Sequence, residues 1–290
     1  MFDRIQKGLW WDKTLSLVSG CTPVSESCNN CWLAQETAMR GVQTNEKIKA
    51  RYGGLVSDGK FTGVVREMWG DLEKVTPKQT PAVWSVWSDL FHESVSNKFR
   101  HIALERMRSC DQHLFLVCTK RIRRAEIFSG MYLFPENLMI MTTVENQEAA
   151  NERIPALLRT DCKWRGLSIE PLLGPVDLAL SKALSVYKEA ESIRVVQHCN
   201  GEDISYNRKG RGYVKYNTIK PLVDWVIVGC ESGKNARPMN LDWVRLIRDQ
   251  CIAAGVPFFF KQAMIDGKLV KAPFLDGQLW LQTPEVNKGN

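Results

Sequence analysis

The chain has 290 residues, 44% of them hydrophobic, and a net charge of +7. That length suits two average domains or one α/β barrel, and no apolar run approaches the roughly 18 residues of a membrane span, so no membrane partner is expected. The positive surplus favours phosphate-bearing partners, while nine cysteines, an odd number, read as reduced cytosolic thiols and exclude a disulfide scaffold.

The N-terminal stretch MFDRIQKGLWWDK lacks the apolar core and small-residue cleavage site of a secretory signal, so the expected location is cytoplasmic. A first strand is predicted over 14–19. It leads into GCTPVSESCNNCWL, where Cys21, Cys28 and Cys31 follow a C-x6-C-x2-C spacing. Three thiols in one short loop fill a core poorly and hold a metal well. A structural zinc takes four protein ligands, whereas an iron–sulfur cluster on three thiolates leaves one iron open. The remaining cysteines are isolated and the four histidines lack paired spacing, so no fourth ligand stands out. Zinc completed by a distant ligand, ordinary unmetallated thiols and a three-thiolate cluster all remain open at this point.

Short apolar runs follow at 82–90, 113–120, 137–144, 164–172, 224–232 and 256–263, nearly continuous in Val, Ile, Leu, Phe and Trp. Such runs suit strands buried on both faces of a parallel sheet. Helices are predicted between them over 98–110, 121–130, 145–158 and 240–254, the last with Asn240 as cap and Gly255 as stop. Repeated strand–helix units imply right-handed crossovers. The expected fold is therefore α/β, a single domain over 1–290 forming a partial or complete (β/α) barrel of about six or more parallel strands. An open doubly wound sheet is the alternative. Residues 180–222 break the rhythm and are read as an insertion with its own helix or hairpin.

Nearly every predicted strand ends in polar residues: Ser88 and Asp89, Thr119 and Lys120, Thr143 with Glu145 and Asn146, Glu170, Glu231 and Ser232, Lys261 and Gln262. In a parallel β/α array these ends form one rim, where active sites are built. Within the insertion, Arg208, Lys209 and Arg211 alternate with Tyr206 and Tyr213, a pairing of cations with stacking rings that suits nucleic acid. The run KRIRR at 120–124 adds charge in the same sense.

Taken together, SGCTPVSESCNNCW (19–32), WSDLFHESV (87–95), LSIEPLLGPVDL (167–178), VIVGCESGKNARPM (226–239) and VPFFFKQ (256–262) resemble a phage-associated three-Cys-motif family, a domain of unknown function that is radical-SAM-like. More broadly they resemble the radical S-adenosylmethionine (SAM) superfamily. Two departures stand out: the common spacing is C-x3-C-x2-C, and Asn30 replaces the usual aromatic before the third cysteine.

The resemblance implies a [4Fe-4S] cluster on Cys21, Cys28 and Cys31, with SAM on the open iron. It implies SAM contacts from Ser88, Asp89, Glu145, Glu170 and Ser232. Catalytic or substrate-facing roles would fall to Glu170, Glu231 and Lys261, and an external electron donor is required. The substrate expectation is a nucleic-acid base, DNA before RNA, contacted by Arg208, Lys209, Arg211 and Tyr213. The sharpest form is an isomerase-type change to a hypermodified thymine adduct in phage DNA, in the host cytoplasm. The rival expectation is a zinc-stabilised nucleic-acid-binding protein without catalysis.

Overall fold

The computed structural model describes residues 2–180, 223–233 and 235–285. All of the predicted insertion beyond residue 180, including Arg208, Lys209, Arg211 and Tyr213, lies outside them. A short helix α1 (Phe2–Gln6) precedes a mixed α/β body. The main sheet has eight strands: β1 (Lys13–Leu15), β2 (Val83–Val86), β3 (Leu114–Thr119), β4 (Leu138–Thr143), β5 (Trp164–Ile169), β6 (Trp225–Gly229), β7 (Phe258–Ile265) and β8 (Lys268–Lys271).

Their spatial order is their sequence order. Neighbours pair in parallel from β1 through β7, and β8 returns antiparallel to β7 through a hairpin. This order decides between the two expected architectures. A doubly wound sheet reverses direction at a switch point and so covers both faces with helices. Here every crossover steps the same way, and right-handed crossovers then put the helices on one face. The sheet curls into a half-barrel with a free concave side.

The helices are α2 (Trp32–Gly41), α3 (Glu46–Tyr52), α4 (Asn97–Arg108), α5 (Ile122–Ser129), α6 (Gln147–Arg159) and α7 (Leu241–Ala254). The last four match the predicted helices within two or three residues. Three of these four starts are fixed by side-chain caps: Ser96 accepts from Phe99 N–H, Asn146 from Ala149 N–H and Asn240 from Asp242 N–H. Gly255 ends α7 in the left-handed region, as its position suggested.

Alternation along the strands divides the core. Phe115, Val117, Leu138, Ile140, Leu167, Ile169, Val226, Val228, Phe258 and Phe260 pack in one cluster with helix residues such as Phe99, Leu104 and Ile247. The intervening residues Leu116, Met139, Met141, Trp164, Trp225, Ile227 and Phe259 form a second cluster with Trp10 of the N-terminal segment. The concave side is thus plugged at the N-terminal ends of the strands. Continuing the same phase toward the C-terminal ends gives Cys118, Thr143, Ser168, Gly229 and Lys261. The lumen changes from apolar floor to polar mouth, as the rim expectation requires.

The predicted strand 14–19 is interrupted. Lys13–Leu15 stays in the main sheet, while Val18–Ser19 turns away and pairs antiparallel with Arg66–Glu67. Gly20 then takes φ +89°, and a Cβ there would stand 2.0 Å from the Val64 carbonyl oxygen. Only glycine fits, so the turn that launches the cysteine loop is written in one residue. Helices α2 and α3, between the cysteine loop and β2, were absent from the sequence reading. They are short, and of their residues only Ala34 and Thr37 are buried, so apolar periodicity gives little signal.

Candidate metal and lumen site

The loop carrying Cys21, Cys28 and Cys31 leaves the C-terminal end of β1 and ends at α2, whose N-cap is Cys31. Four rim positions hold it. Ser88, itself at φ +66°, donates to the Gly20 carbonyl at 2.9 Å. Arg121 donates to the Thr22 carbonyl at 3.0 Å. Asn146 donates to Glu26 at 2.8 Å, and Asn30 donates to Glu231 at 3.0 Å. His92 adds a fifth tie. Its Nδ1 accepts from Ser94 N–H, which leaves Nε2–H to donate to the Thr22 hydroxyl at 2.8 Å.

The three thiols meet two cations. Lys120 Nζ lies 3.3 Å from Cys28 Sγ, and Arg121 Nη1 lies 3.8 Å from Cys21 Sγ. Burial pushes the Cys28 thiol up, but Lys120 and the N–H groups of Val24 and Ser25 more than offset it, leaving Cys28 below the ordinary thiol value. Burial, reinforced by the Asp89 carboxylate, drives Cys21 up to about 11 against the pull of Arg121. Burial also raises Cys31, opposed chiefly by the Ala34 N–H and Lys120.

A measurable consequence follows at the level of reactivity, because the thiolate is the nucleophile. In metal-free protein, iodoacetamide will label Cys28 before Cys21 and Cys31, its rate rising at lower pH than that of Cys21, whose thiol sits at about 11. Lys120→Met will slow Cys28 labelling near neutral pH, because it removes the nearest charge that favours the thiolate. Equal rates at Cys28 and Cys21, read by peptide mass spectrometry, would contradict this assignment.

The run KRIRR was read as surface charge for nucleic acid, and the structure corrects that for its first two members. Lys120 faces the loop thiols, and Arg121 is buried among Asp89, Glu93 and Thr22. Arg124 donates to the Phe91 carbonyl, leaving Arg123 as the outward-facing arginine near Glu152.

The strand-end acids divide into two groups. Asp89, Glu145 and Glu231 each already have arginine partners. Asp89 accepts from Arg121 at 3.0 Å and from Thr119 at 2.6 Å. Glu145, 1% exposed, accepts from Arg153 at 2.7 Å. Burial would raise its carboxyl, but the Ser25 hydroxyl and the Arg153 and Lys120 charges hold it below the usual range. Glu231 accepts from Asn30 and Arg237, and Arg237 also reaches the Glu26 carbonyl. These acids clamp the loop and its supports. Ser232 is half-buried beside Glu231.

Glu170 and Lys261 form the second group and meet across the lumen mouth. Lys261 Nζ lies 2.7 Å from Glu170 Oε1, an off-axis approach that leaves this oxygen without a well-aligned hydrogen bond. The same ammonium sits 5.6 Å above the Trp11 ring. Gly229 makes the space: a Cβ there would stand 2.9 Å from Glu170 Oε1. Cys118 lies deeper, 3.5 Å from the Thr143 hydroxyl, and burial keeps it a neutral thiol.

Tetrahedral zinc, with Zn–S near 2.3 Å, needs its sulfurs about 3.8 Å apart. Among the described residues, no group of three or more His, Cys, Asp or Glu side chains is gathered to hold a single ion. Three soft thiol donors on one clamped loop, faced by two cations, have the donor chemistry of a thiolate-bound metal or an anionic cluster.

In the sequence Arg121 stands out only as part of a basic run two residues past a strand end, and Asn30 only as a departure from the usual motif; Arg153, Arg237 and Trp11 do not stand out. Asn30 and Trp11 act through contacts far away in sequence, and Arg153 and Arg237 fold back onto acids eight and six residues earlier.

No curated protein matches the chain, and no solved structure does. A family model described as "Protein of unknown function (DUF5131)" matches residues 6–284. With nearly its whole length covered by that match, the chain belongs to the DUF5131 family.

Proposed function

We propose that the protein is a radical SAM enzyme that modifies a nucleic-acid base, with Cys21, Cys28 and Cys31 holding a [4Fe-4S] cluster. The observation that carries this reading is the placement of three thiols on one clamped loop at the C-terminal rim of a parallel half-barrel, beside a polar lumen. Held by Cys21, Cys28 and Cys31, such a cluster would supply one-electron reductive cleavage of SAM to methionine and a 5′-deoxyadenosyl radical, the species that would take a hydrogen atom from substrate.

The chain's own residues perform the remaining tasks. Arg121, Asn30, Asn146, His92 and Ser88 fix the loop. Lys120 and Arg121 balance the negative charge of the thiolates. The Trp10, Trp164 and Trp225 plug excludes water from the lumen floor. Glu170 and Lys261 present one acceptor and one cation to whatever occupies the mouth, and Trp11 orients the cation. Because Asp89, Glu145 and Glu231 are engaged with arginines, SAM contact on this reading falls to Ser88, Ser232 and Glu170. The base-modification reading draws on the net charge of +7 and on the basic, aromatic segment around Arg208, Lys209, Arg211 and Tyr213. A hypermodified thymine adduct in phage DNA, changed in an isomerase-type reaction, is the specific substrate proposed. An external one-electron donor completes the system.

Anaerobic purification tests the reading. The expected result is brown protein with about four irons per chain that releases 5′-deoxyadenosine from SAM on reduction. Colourless protein with stoichiometric zinc, or a cluster that never cleaves SAM, would overturn it.

A further inference from the structure

Away from the lumen, helices α2 and α3 frame two adjoining cavities. The inner one is lined by Gly20, Thr37, Trp87 and Ser88, and so abuts the start of the cysteine loop. The outer one, about 520 Å³, is lined by Met39, Gln43, Ile48, Arg51 and Lys74. Glu36, Arg40 and Tyr52 line both, which makes one continuous groove. The outer part has the volume of a small-molecule or nucleotide pocket, whereas the inner part, about 20 Å³, has room for little more than a water.

The chemistry along the groove is graded. At the outer end stand Arg40, Arg51 and Lys74. Tyr52 lies between two guanidinium groups, 5.4 Å from Arg40 and 5.2 Å from Arg51. At the inner end the ring of Trp87 meets the half-exposed Trp32 edge-on at 5.0 Å. Two carboxylates offset part of the charge. Glu36 pairs with Arg40 at 2.6 Å, and Asp71 is held between Arg51 at 2.6 Å and Lys74 at 2.9 Å. Asp71 is buried beneath them, whereas Lys74 is largely exposed, so the outward charge is positive. Arg51 also donates to the Ser16 carbonyl at 2.7 Å and to Ser19, tying the groove to the segment that enters the cysteine loop.

Cations at one end and stacking rings at the other are the two components of a single-strand nucleic-acid track. We infer that this groove seats single-stranded DNA, its phosphates against Arg40 and Lys74 and a base on the exposed ring of Trp32 beside Trp87, leading the strand toward the lumen. The inference rests on the nucleic-acid reading above and adds a place of binding that is separate from the 205–216 segment.

The test is fluorescence anisotropy of the full chain with a labelled oligothymidylate, titrated with salt. Each lost phosphate contact flattens the salt slope by about 0.7 for a single strand. The double variant Arg40→Gln, Lys74→Gln is therefore expected to reduce the slope by about 1.4 and to bind about 25-fold more weakly at about 0.1 M salt. The outward-facing Arg123→Gln serves as the control for general loss of charge and is expected to bind within twofold of the parent. Binding by the double variant equal to the parent's overturns the groove and leaves the nucleic-acid reading standing. An equal loss in Arg123→Gln overturns it in the same way. Failure of the parent protein to bind the oligomer at low salt overturns both. An RNA of matched length that binds more than tenfold tighter overturns the assignment to DNA.

Discussion

Cys21→Ala will abolish the iron–sulfur absorption of anaerobically prepared protein and reduce SAM cleavage to background, while the urea midpoint of the metal-free protein stays within a few tenths of a molar of the parent's. Cys21 is the strictest of the three positions to test because its thiol is pushed up to about 11 by burial and Asp89. A ligand must shed that proton, so loading will release protons and will improve as pH rises from 7 toward 9. The fold itself has other supports: the main apolar core includes none of the three loop cysteines. If the loop instead held structural zinc, the same substitution would remove part of the folding energy and the metal-loaded protein would unfold with it. Retained iron with retained SAM cleavage would remove Cys21 from the ligand set.

Arg153→Met will cost about 3–5 kcal/mol of folding free energy, measured by urea unfolding with an unchanged m value. The pair it breaks is enclosed, with Glu145 1% and Arg153 5% exposed, and Arg153 also donates to the Thr143 carbonyl at 2.8 Å. Methionine replaces the volume but leaves a buried carboxylate without its main partner. The pH dependence has a definite sign. In the parent, Glu145 is held below the usual carboxylate range, so its contribution is complete above the unfolded value of about 4.5 and is lost as pH falls through the folded one. Without Arg153 the folded value rises, and acid destabilisation will begin at higher pH. Because Ser25 of the cysteine loop also bonds Glu145, the variant will weaken cluster retention as well. The double variant Glu145→Gln, Arg153→Met will recover part of the lost stability, since it removes the stranded charge. A single-variant loss below about 1 kcal/mol would contradict the pairing.

Several features were legible in the sequence because their physics is local. Runs such as LMIM (138–141) and WVIV (225–228) are apolar at every position, and only a strand covered on both faces uses them so. Asn240 and Gly255 mark the ends of α7 because the unsatisfied groups of a helix terminus are met by neighbouring residues. The cysteine spacing and the polar strand ends pointed to one candidate rim for the same reason.

The individual roles at that rim were different. Lys120 and Arg121 lie in a basic run, and by composition alone they belong with Arg123 on the surface. Asp89, Glu145 and Glu231 look interchangeable with Glu170. What separates them is partnership across long sequence intervals: Arg121 with Asp89, Asn30 with Glu231, Lys261 with Glu170. The sequence by itself determined the parallel strands, the helices of the β/α units and the three-thiol loop. Tertiary structure alone decided that the sheet curls one way into a half-barrel, which acids are engaged by arginine and which one faces the lumen. The reason is that a buried charge is fixed by whatever opposite charge folding brings beside it, and in this chain that partner comes from another strand or loop.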